Sequence, residues 1–284
     1  MGKASKVKYE LFEATEMLGL VQTLKDIADN KFFTLMHERD TFRRFGESFV
    51  EFFRMISMTK VDHPLITNKN PHVGIIVVTI EGSFLGQFNN SIIRLAVKEA
   101  EKHQKVKFIA VGDKSLDTLK GVSGDIKLFT ELESRGFYET AILVKDFVIK
   151  EVMENRLGKV FVAHSWPKDF DTQKPKLNKL LPCDELVTKQ SQFVDELENV
   201  IQESDPIEII GYLSNLWITT RLYEIFVDTT IGSAAAQAAF LEDKIDDMKK
   251  ENQKVQLKYR KARKSDIDKG LRETFTARMM AMKE

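Results

Sequence analysis

Several places in this 284-residue chain carry residue types that could do chemistry. After an apolar β-branched run, residues 79–89 read Thr-Ile-Glu-Gly-Ser-Phe-Leu-Gly-Gln-Phe-Asn. Gly82 and Gly86 near a helix start could turn backbone N–H groups toward an anion. Bulky Phe84 and Leu85 lie between them, however, and neither the dinucleotide spacing nor a G-x-x-x-x-G-K-[ST] loop occurs. The segment, closed by Asn89, therefore reads as a structural turn. Cys183 follows a proline and has no histidine close in sequence, so no nucleophile–base pair stands out. His37, His63, His72, His103 and His164 lack metal-ligand spacing. The acidic cluster Asp195, Glu196, Glu198, Glu203, Asp205 and Glu208 reads as a solvated helix face and cap rather than a cation site. No cofactor and no catalytic residue are expected.

Two features point to surfaces instead. Between residues 249 and 272 stand Lys249, Lys250, Lys254, Lys258, Arg260, Lys261, Arg263, Lys264, Lys269 and Arg272, against only Glu251, Asp266 and Asp268. On a helix they form a basic sleeve, which is either a solvated face or a surface for an acidic partner. Only Tyr259 interrupts it with an aromatic ring, so base stacking is poorly served and nucleic acid is not the expected partner. Met279, Met280 and Met282 crowd the last residues. Methionine packs adaptably, so this tip either frays or makes forgiving contacts inside an apolar collar.

These residues must sit on something stiff. Trp217, Thr220, Glu224, Val227, Ile231, Ala234, Ala238, Leu241, Ile245, Met248, Asn252, Val255, Tyr259 and Ala262 fall at steps of three and four. That spacing is the seam of one long helix lying along another. Some 70 residues of helix would span roughly 105 Å, more than a compact domain of this size needs for its own core. Its start is marked by Asp205-Pro206. Residues 9–58 read as a first long helix, with an aromatic seam of Phe42, Phe45, Phe49, Phe52 and Ile56. Leu11, Leu18, Val21, Leu24 and Ala28 extend it upstream. Each helix has an apolar stripe to cover, and antiparallel pairing of the two covers both.

The middle changes period. Residues 73–79, 106–112 and 159–164 are β-branched or apolar runs, separated by helical patterns over 84–103 and 137–156. Strands alternating with helices predict a βαβ unit with a parallel sheet. Residues 171–182 are polar and proline-bearing, so they read as a loop or a sheet edge. The expected organisation is an N-terminal coiled-coil helix (1–62), a small Rossmann-like α/β domain (71–205) and a C-terminal coiled-coil helix (206–284) paired with the first. The chain carries 43 basic and 43 acidic residues, so no net field recruits nucleic acid or an anionic membrane. One cysteine excludes a disulfide framework and fits a reducing compartment. The longest strongly apolar run, Ile75 to Ile80, is too short to span a bilayer.

Four segments stand out in order along the chain: residues 20–31 (LVQTLKDIADNK), 79–89 (TIEGSFLGQFN), 172–182 (TQKPKLNKLLP) and 257–273 (LKYRKARKSDIDKGLRE). In order and spacing they resemble the gamma-subunit family of rotary F-type ATP synthases. Residues 257–273 (LKYRKARKSDIDKGLRE) resemble the family's L-x-Y-N-x-A-R-Q-x-x-I-T-x-E-[IL]-x-E. Residues 172–182 resemble its Q-x-P-x-x-x-x-L-L-P segment, residues 79–89 its S-D-x-G-L-C-G-x-x-N turn, and residues 20–31 its I-T-x-A-M-x-x-V-A-x-x-K. The chain departs from the family in several places. The glycine turn is one residue longer and lacks the cysteine. Gly232 to Ala238 stand where the family has S-E-x-x-A-R-M, and Arg260, Lys264, Asp268 and Gly270 replace Asn, Gln, Thr and Glu.

The resemblance implies a central-stalk rotor without an active site of its own. Its paired helices would thread a hexamer of catalytic and non-catalytic subunits. Its α/β domain would stand at the foot against a membrane rotor ring and a small companion stalk subunit. It would be peripheral, on the cytoplasmic face of the membrane, with no span of its own. Lys25, Lys31, Lys254, Lys258, Arg260, Lys261, Arg263 and Lys264 would meet the hexamer, and Met279, Met280 and Met282 its apolar bearing. Gly82, Gly86 and Asn89 would shape the foot-domain turn. A gamma-like subunit of a repurposed rotary ATPase, or a non-rotating coiled-coil adaptor, would use the same helices.

Overall fold

The computed structural model describes residues 3–56, 63–81, 85–130, 132–183 and 205–282, with side chains described outside 40–56, 133–134 and 206. The predicted seam Phe42, Phe45, Phe49, Phe52 and Ile56 therefore lies outside the described side chains. Gly82 and the acidic residues Asp195, Glu196, Glu198 and Glu203 lie outside the described residues altogether. In chain order the elements are α1 (Lys3–Ile56), β1 (Val73–Val78), α2 (Gly86–Ala100), β2 (Val106–Val111), a 3₁₀ turn (Asp113–Ser115), α3 (Leu116–Lys120), β3 (Ile126–Phe129), α4 (Leu132–Arg135), α5 (Phe137–Met153), β4 (Lys159–Pro167), β5 (Gln173–Leu181) and α6 (Pro206–Ala281). Two compact units divide the chain: Met1–Asp29 with Gln237–Glu284, and Asn30–Ala236.

In the first unit α1 and α6 run antiparallel. Asn252 Nδ2 donates to Thr15 Oγ1 at 3.3 Å, and Lys25 pairs with Glu242 at 3.0 Å. Moving ten residues up α1 thus moves the partner ten residues down α6. The shielded positions on α1 are Ala4, Val7, Leu11, Ala14, Leu18, Val21, Lys25 and Ala28. Those on α6 are Ala238, Leu241, Ile245, Met248, Asn252, Val255, Tyr259 and Ala262. Both rows alternate strictly between steps of three and four, the knobs-into-holes period. On α6 the expected seam holds residue for residue. On α1 it needs one correction: Leu24 is 46% exposed and Lys25 takes its place. Leu18 to Val21 is a step of three, so strict alternation lands next on residue 25. A second step of three, to the more hydrophobic Leu24, would rotate the stripe off the partner.

The second unit is a five-stranded sheet in the order β3-β2-β1-β4-β5. The first four strands are parallel, and β5 pairs antiparallel with β4. All six residues of β1 are buried, as a central parallel strand with helices on both faces requires. One face carries Val73, Ile75, Val77 and Phe108 against Ile92, Ile93 and Ala96 of α2 and Leu119 of α3. The other carries Ile76, Val78, Ile109, Val160 and Val162 against Ala141, Val144 and Val148 of α5 and against Leu213, Ile218, Leu222 and Phe226 of α6. Early α6 therefore packs on the sheet as well as offering a seam, which explains why burial there exceeds one stripe. Its start is capped as expected: the Ile207 N–H donates to Asp205 Oδ1 at 2.9 Å.

The proline-bearing stretch 171–182 proves to be the edge strand β5. Pro175 lies within it, and Lys174, Lys176 and Lys179 line it. Proline and lysine suit an edge, because they discourage a further strand from pairing there. Sequence reading missed the short edge strand β3.

Candidate partner-binding surfaces

At the turn, Asn89 is 2% exposed, and its amide closes a two-point clamp on the backbone. Its Oδ1 accepts from the Ile80 N–H at 3.1 Å, and its Nδ2 donates to the Ile80 carbonyl at 3.0 Å. With both ends of the amide spent, Asn89 ties the end of β1 to α2. Gly86 opens α2 with free space where a Cβ would stand. Cys183 is buried, and its thiol lies 3.7 Å from the Leu180 carbonyl. Among the described residues, no group of His, Cys, Asp and Glu is placed to hold a metal, and no helix is long and apolar enough to cross a membrane.

A cleft of about 530 Å³ opens beside the amino ends of β1 and β2. Four of its charged side chains are already engaged with one another. Glu151, 6% exposed, accepts from Lys107 Nζ at 2.9 Å and from Arg156 Nε and Nη2 at 2.9 and 2.6 Å. Asp125 meets the same Lys107 at 3.4 Å. Burial alone would push the Glu151 carboxyl up, but the Arg156 and Lys107 hydrogen bonds outweigh it and hold the group below its ordinary range. The arrangement is a buried strut rather than a ligand site.

In the two-helix unit, Lys25 hydrogen-bonds Asp29 and Glu242, which push its pKa up to about 12. A charge in an apolar seam costs stability but fixes register, because a shift of one turn would leave it unpaired. Along the basic sleeve, Lys249, Lys250, Lys254 and Lys269 pair within α6 with Asp246, Asp247, Glu251 and Glu273. Among the described residues, Lys258, Arg260, Lys261, Arg263 and Lys264 make no ion pair, and no acid lies between them in sequence. Five uncompensated cations therefore fill two turns. Beyond Asp266, which accepts from the Ala4 N–H at 3.1 Å, α6 exposes Ile267, Leu271, Phe275, Met279 and Met280, followed by Met282. Ile267, Leu271, Phe275 and Met279 recur every four residues, so much of the apolar surface gathers on one side. Lys31 is half-buried on α1 within the second unit.

Two titratable groups in the second unit were not anticipated. His164 on β4 is 1% exposed. Its Nδ1 lies 3.0 Å from the Ser165 carbonyl and must donate there, which leaves Nε2 to accept from Asn178 Nδ2 at 3.0 Å. Burial, with Arg221 and Lys176 nearby, lowers its pKa to about 4. Asp228 on α6 moves the other way. Burial raises it to about 6, although Arg39 lies 3.3 Å away.

Neutral in the fold but protonated in the unfolded chain, His164 contributes stability above pH 6.5 that is lost as pH falls toward 4, about 3 kcal/mol in all. Asp228 contributes the opposite slope, with stability lost as pH rises from 3.8 to about 6. Wild type should therefore show little net slope from this pair. His164→Gln should expose the Asp228 slope, and Asp228→Asn the His164 slope. Denaturant unfolding of the three proteins between pH 4 and 6.5 checks this, and parallel curves would refute it.

The described units are thus an antiparallel helix pair and a mostly parallel α/β sheet flanked by helices. The family model described as ATP synthase matches residues 6–279, and the chain belongs to that family, as a gamma-type member. An ATP synthase gamma chain from Glaesserella parasuis is 22% identical, over 96% of this chain and 97% of its own length. One from Syntrophobacter fumaroxidans is 23% identical, over 95% and 96%. The fold is shared with the rotor of the Euglena gracilis mitochondrial ATP synthase (TM-score 0.62, 14% identity, 93% of this chain and 98% of that one). It is shared too with the central stalk of the Tetrahymena thermophila mitochondrial enzyme (TM-score 0.60, 16% identity, 79% and 98%).

Proposed function

We propose that this chain is the gamma-type central-stalk rotor of a rotary ATP synthase, coupling ion-driven rotation to ATP synthesis or hydrolysis in a surrounding hexamer of catalytic and non-catalytic subunits. The observation that carries this reading is the strict three–four seam joining α1 and α6 in antiparallel register. Such a pair resists bending and twisting, because each shielded side chain is held by several on the facing helix. Its surface differs around the circumference. Each angle therefore presents different contacts to each surrounding subunit and favours a different state there, which is coupling by differential affinity.

In this reading Lys254, Lys258, Arg260, Lys261, Arg263 and Lys264 face acidic segments of the hexamer. Met279, Met280 and Met282 run in an apolar bearing whose contacts must not lock. Lys31 is a further contact, and Lys25 contributes from its pairing with Asp29 and Glu242. The α/β domain stands at the foot against the membrane rotor ring and a small companion subunit. The chain is peripheral, on the cytoplasmic face of the membrane.

The rotor reading predicts that the chain co-purifies at one copy per hexameric ATPase. Recovery in several copies, or without the hexamer, would argue for an adaptor. Changing Lys258, Arg260, Lys261 and Arg263 together to glutamine should weaken assembly about tenfold at low salt, with a smaller difference at higher ionic strength. Unchanged assembly and salt dependence would remove the charge argument.

A further inference from the structure

In the second unit, one side chain joins three elements. Arg39 Nη1, on α1, lies 3.3 Å from the Pro167 carbonyl at the end of β4 and 3.3 Å from Asp228 Oδ1 on α6. Both ionic side chains are largely shielded, Arg39 at 19% and Asp228 at 16% exposure. Two turns earlier on α1, Phe32 and Phe33 hold Phe170, which sits in the hairpin between β4 and β5. The Phe32 ring meets Phe170 edge-on at 4.9 Å, and Phe33 stacks on it at 6.2 Å. The hairpin is thus gripped from α1 by a ring pair at one point and a charged hydrogen bond at another. Asp228 ties α6 to the same arginine.

Resting on the rotor reading above, we propose that Arg39, Asp228 and the Pro167–Phe170 hairpin form the joint through which turning of the sheet is passed to the two helices. The sheet and the helices meet in two ways in this unit. The broad apolar face between the β-strands and α6 spreads its resistance over many individually small contacts. The Arg39 contacts are directional, and they hold a strand end, α1 and α6 against a common point. The hairpin is also the short link between β4 and the edge strand, so a pull on it is felt by both strands. Asp228 remains in a shielded place despite an unfavourable burial, which is the cost expected of a group kept for position rather than for stability. Arg39 and Asp228 are positioning residues, with no contact to nucleotide implied.

The test uses the assembled complex in membrane vesicles and compares wild type, Arg39→Gln, Phe170→Ala and the conservative Arg39→Lys. ATP hydrolysis and ATP-driven ion uptake are measured on the same vesicles. Arg39→Gln and Phe170→Ala should assemble and hydrolyse ATP, but with ion uptake per ATP reduced about fivefold as the joint slips under load. Arg39→Lys, whose ammonium can still serve both acceptors, should recover most of the ratio. An unchanged ratio in both variants would overturn the proposal. So would failure of either variant to assemble, since that is the signature of a merely structural contact. Absence of wild-type chain from any hexameric ATPase would instead sink the rotor reading itself.

Discussion

Phe32→Ala is expected to cost about 3–5 kcal/mol, the largest loss for a single truncation at the helix contacts. Phe32 is 3% exposed and packs on Val227, Ile231, Ala234 and Ala235 of α6. It follows Ala28 by four residues, so it keeps the same alternating seam on α1. Two of the facing residues are alanines, which suit one large ring on the opposite helix. Because those alanines cannot reorient to refill the space, the void left by truncation persists, and cavity cost adds to lost transfer energy. Its neighbour Phe33 is the control. At 64% exposure it has little burial to lose, and Phe33→Ala should cost about 1 kcal/mol or less, mainly its stacking on Phe170. Urea unfolding of the two variants beside wild type decides the matter. Equal losses would mean that Phe32 is not a seam residue.

Glu151→Ala should rank second, at about 2–3 kcal/mol. Removing one partner from a buried ionic group typically costs more than this, because the remaining charges are left without compensation. Here the loss is moderated: Lys107 keeps Asp125 at 3.4 Å, and Arg156 is half-exposed and can turn to water. The wild-type carboxyl titrates below its ordinary value, so its contribution is present above pH 4.5 and fades as pH falls through the native value. The stability difference between wild type and Glu151→Ala should therefore narrow on acidification below pH 4.5. A difference that stayed constant with pH would show that the strut acts by packing alone.

Much of this architecture was legible in the chain because it follows from periodicity. The α6 seam from Ala238 to Ala262 is written in steps of three and four, and its start in Asp205-Pro206. The central strands β1, β2 and β4 stand out as apolar β-branched runs. What escaped was written in pairing rather than period. Strand β3 has only four residues and no alternation to notice, and the proline and lysines of β5 fit a loop as well as the sheet edge that it forms. The resemblance places Lys25 against the hexamer, since no pattern marks a lysine as a seam residue. Its place emerged from the phase of the neighbouring steps and from Glu242 on the other helix. The Arg39–Asp228 contact joins residues 189 apart in sequence. Its only local trace is a carboxylate directly after Phe226 and Val227, on a helix face that should be apolar.

The unpaired block Lys258–Lys264 was visible as a cation run, but the pairing that separates it from Lys249–Lys254 was not. Acids three residues before Lys249, Lys250 and Lys254 neutralise the first part of the sleeve, and none does so for the second. Among the described residues, that distinction confines the continuous part of the sleeve without an ion pair to two helical turns.

The most direct test of the account is to watch the chain turn. With the hexamer fixed to a surface by its own subunits, a bead is attached through a cysteine introduced at exposed Lys114, native Cys183 being buried. On addition of ATP the bead is predicted to rotate in one direction, in steps whose rate follows ATP concentration. A bead that stayed still while the same complexes hydrolysed ATP would contradict the account and leave the helix pair a static adaptor.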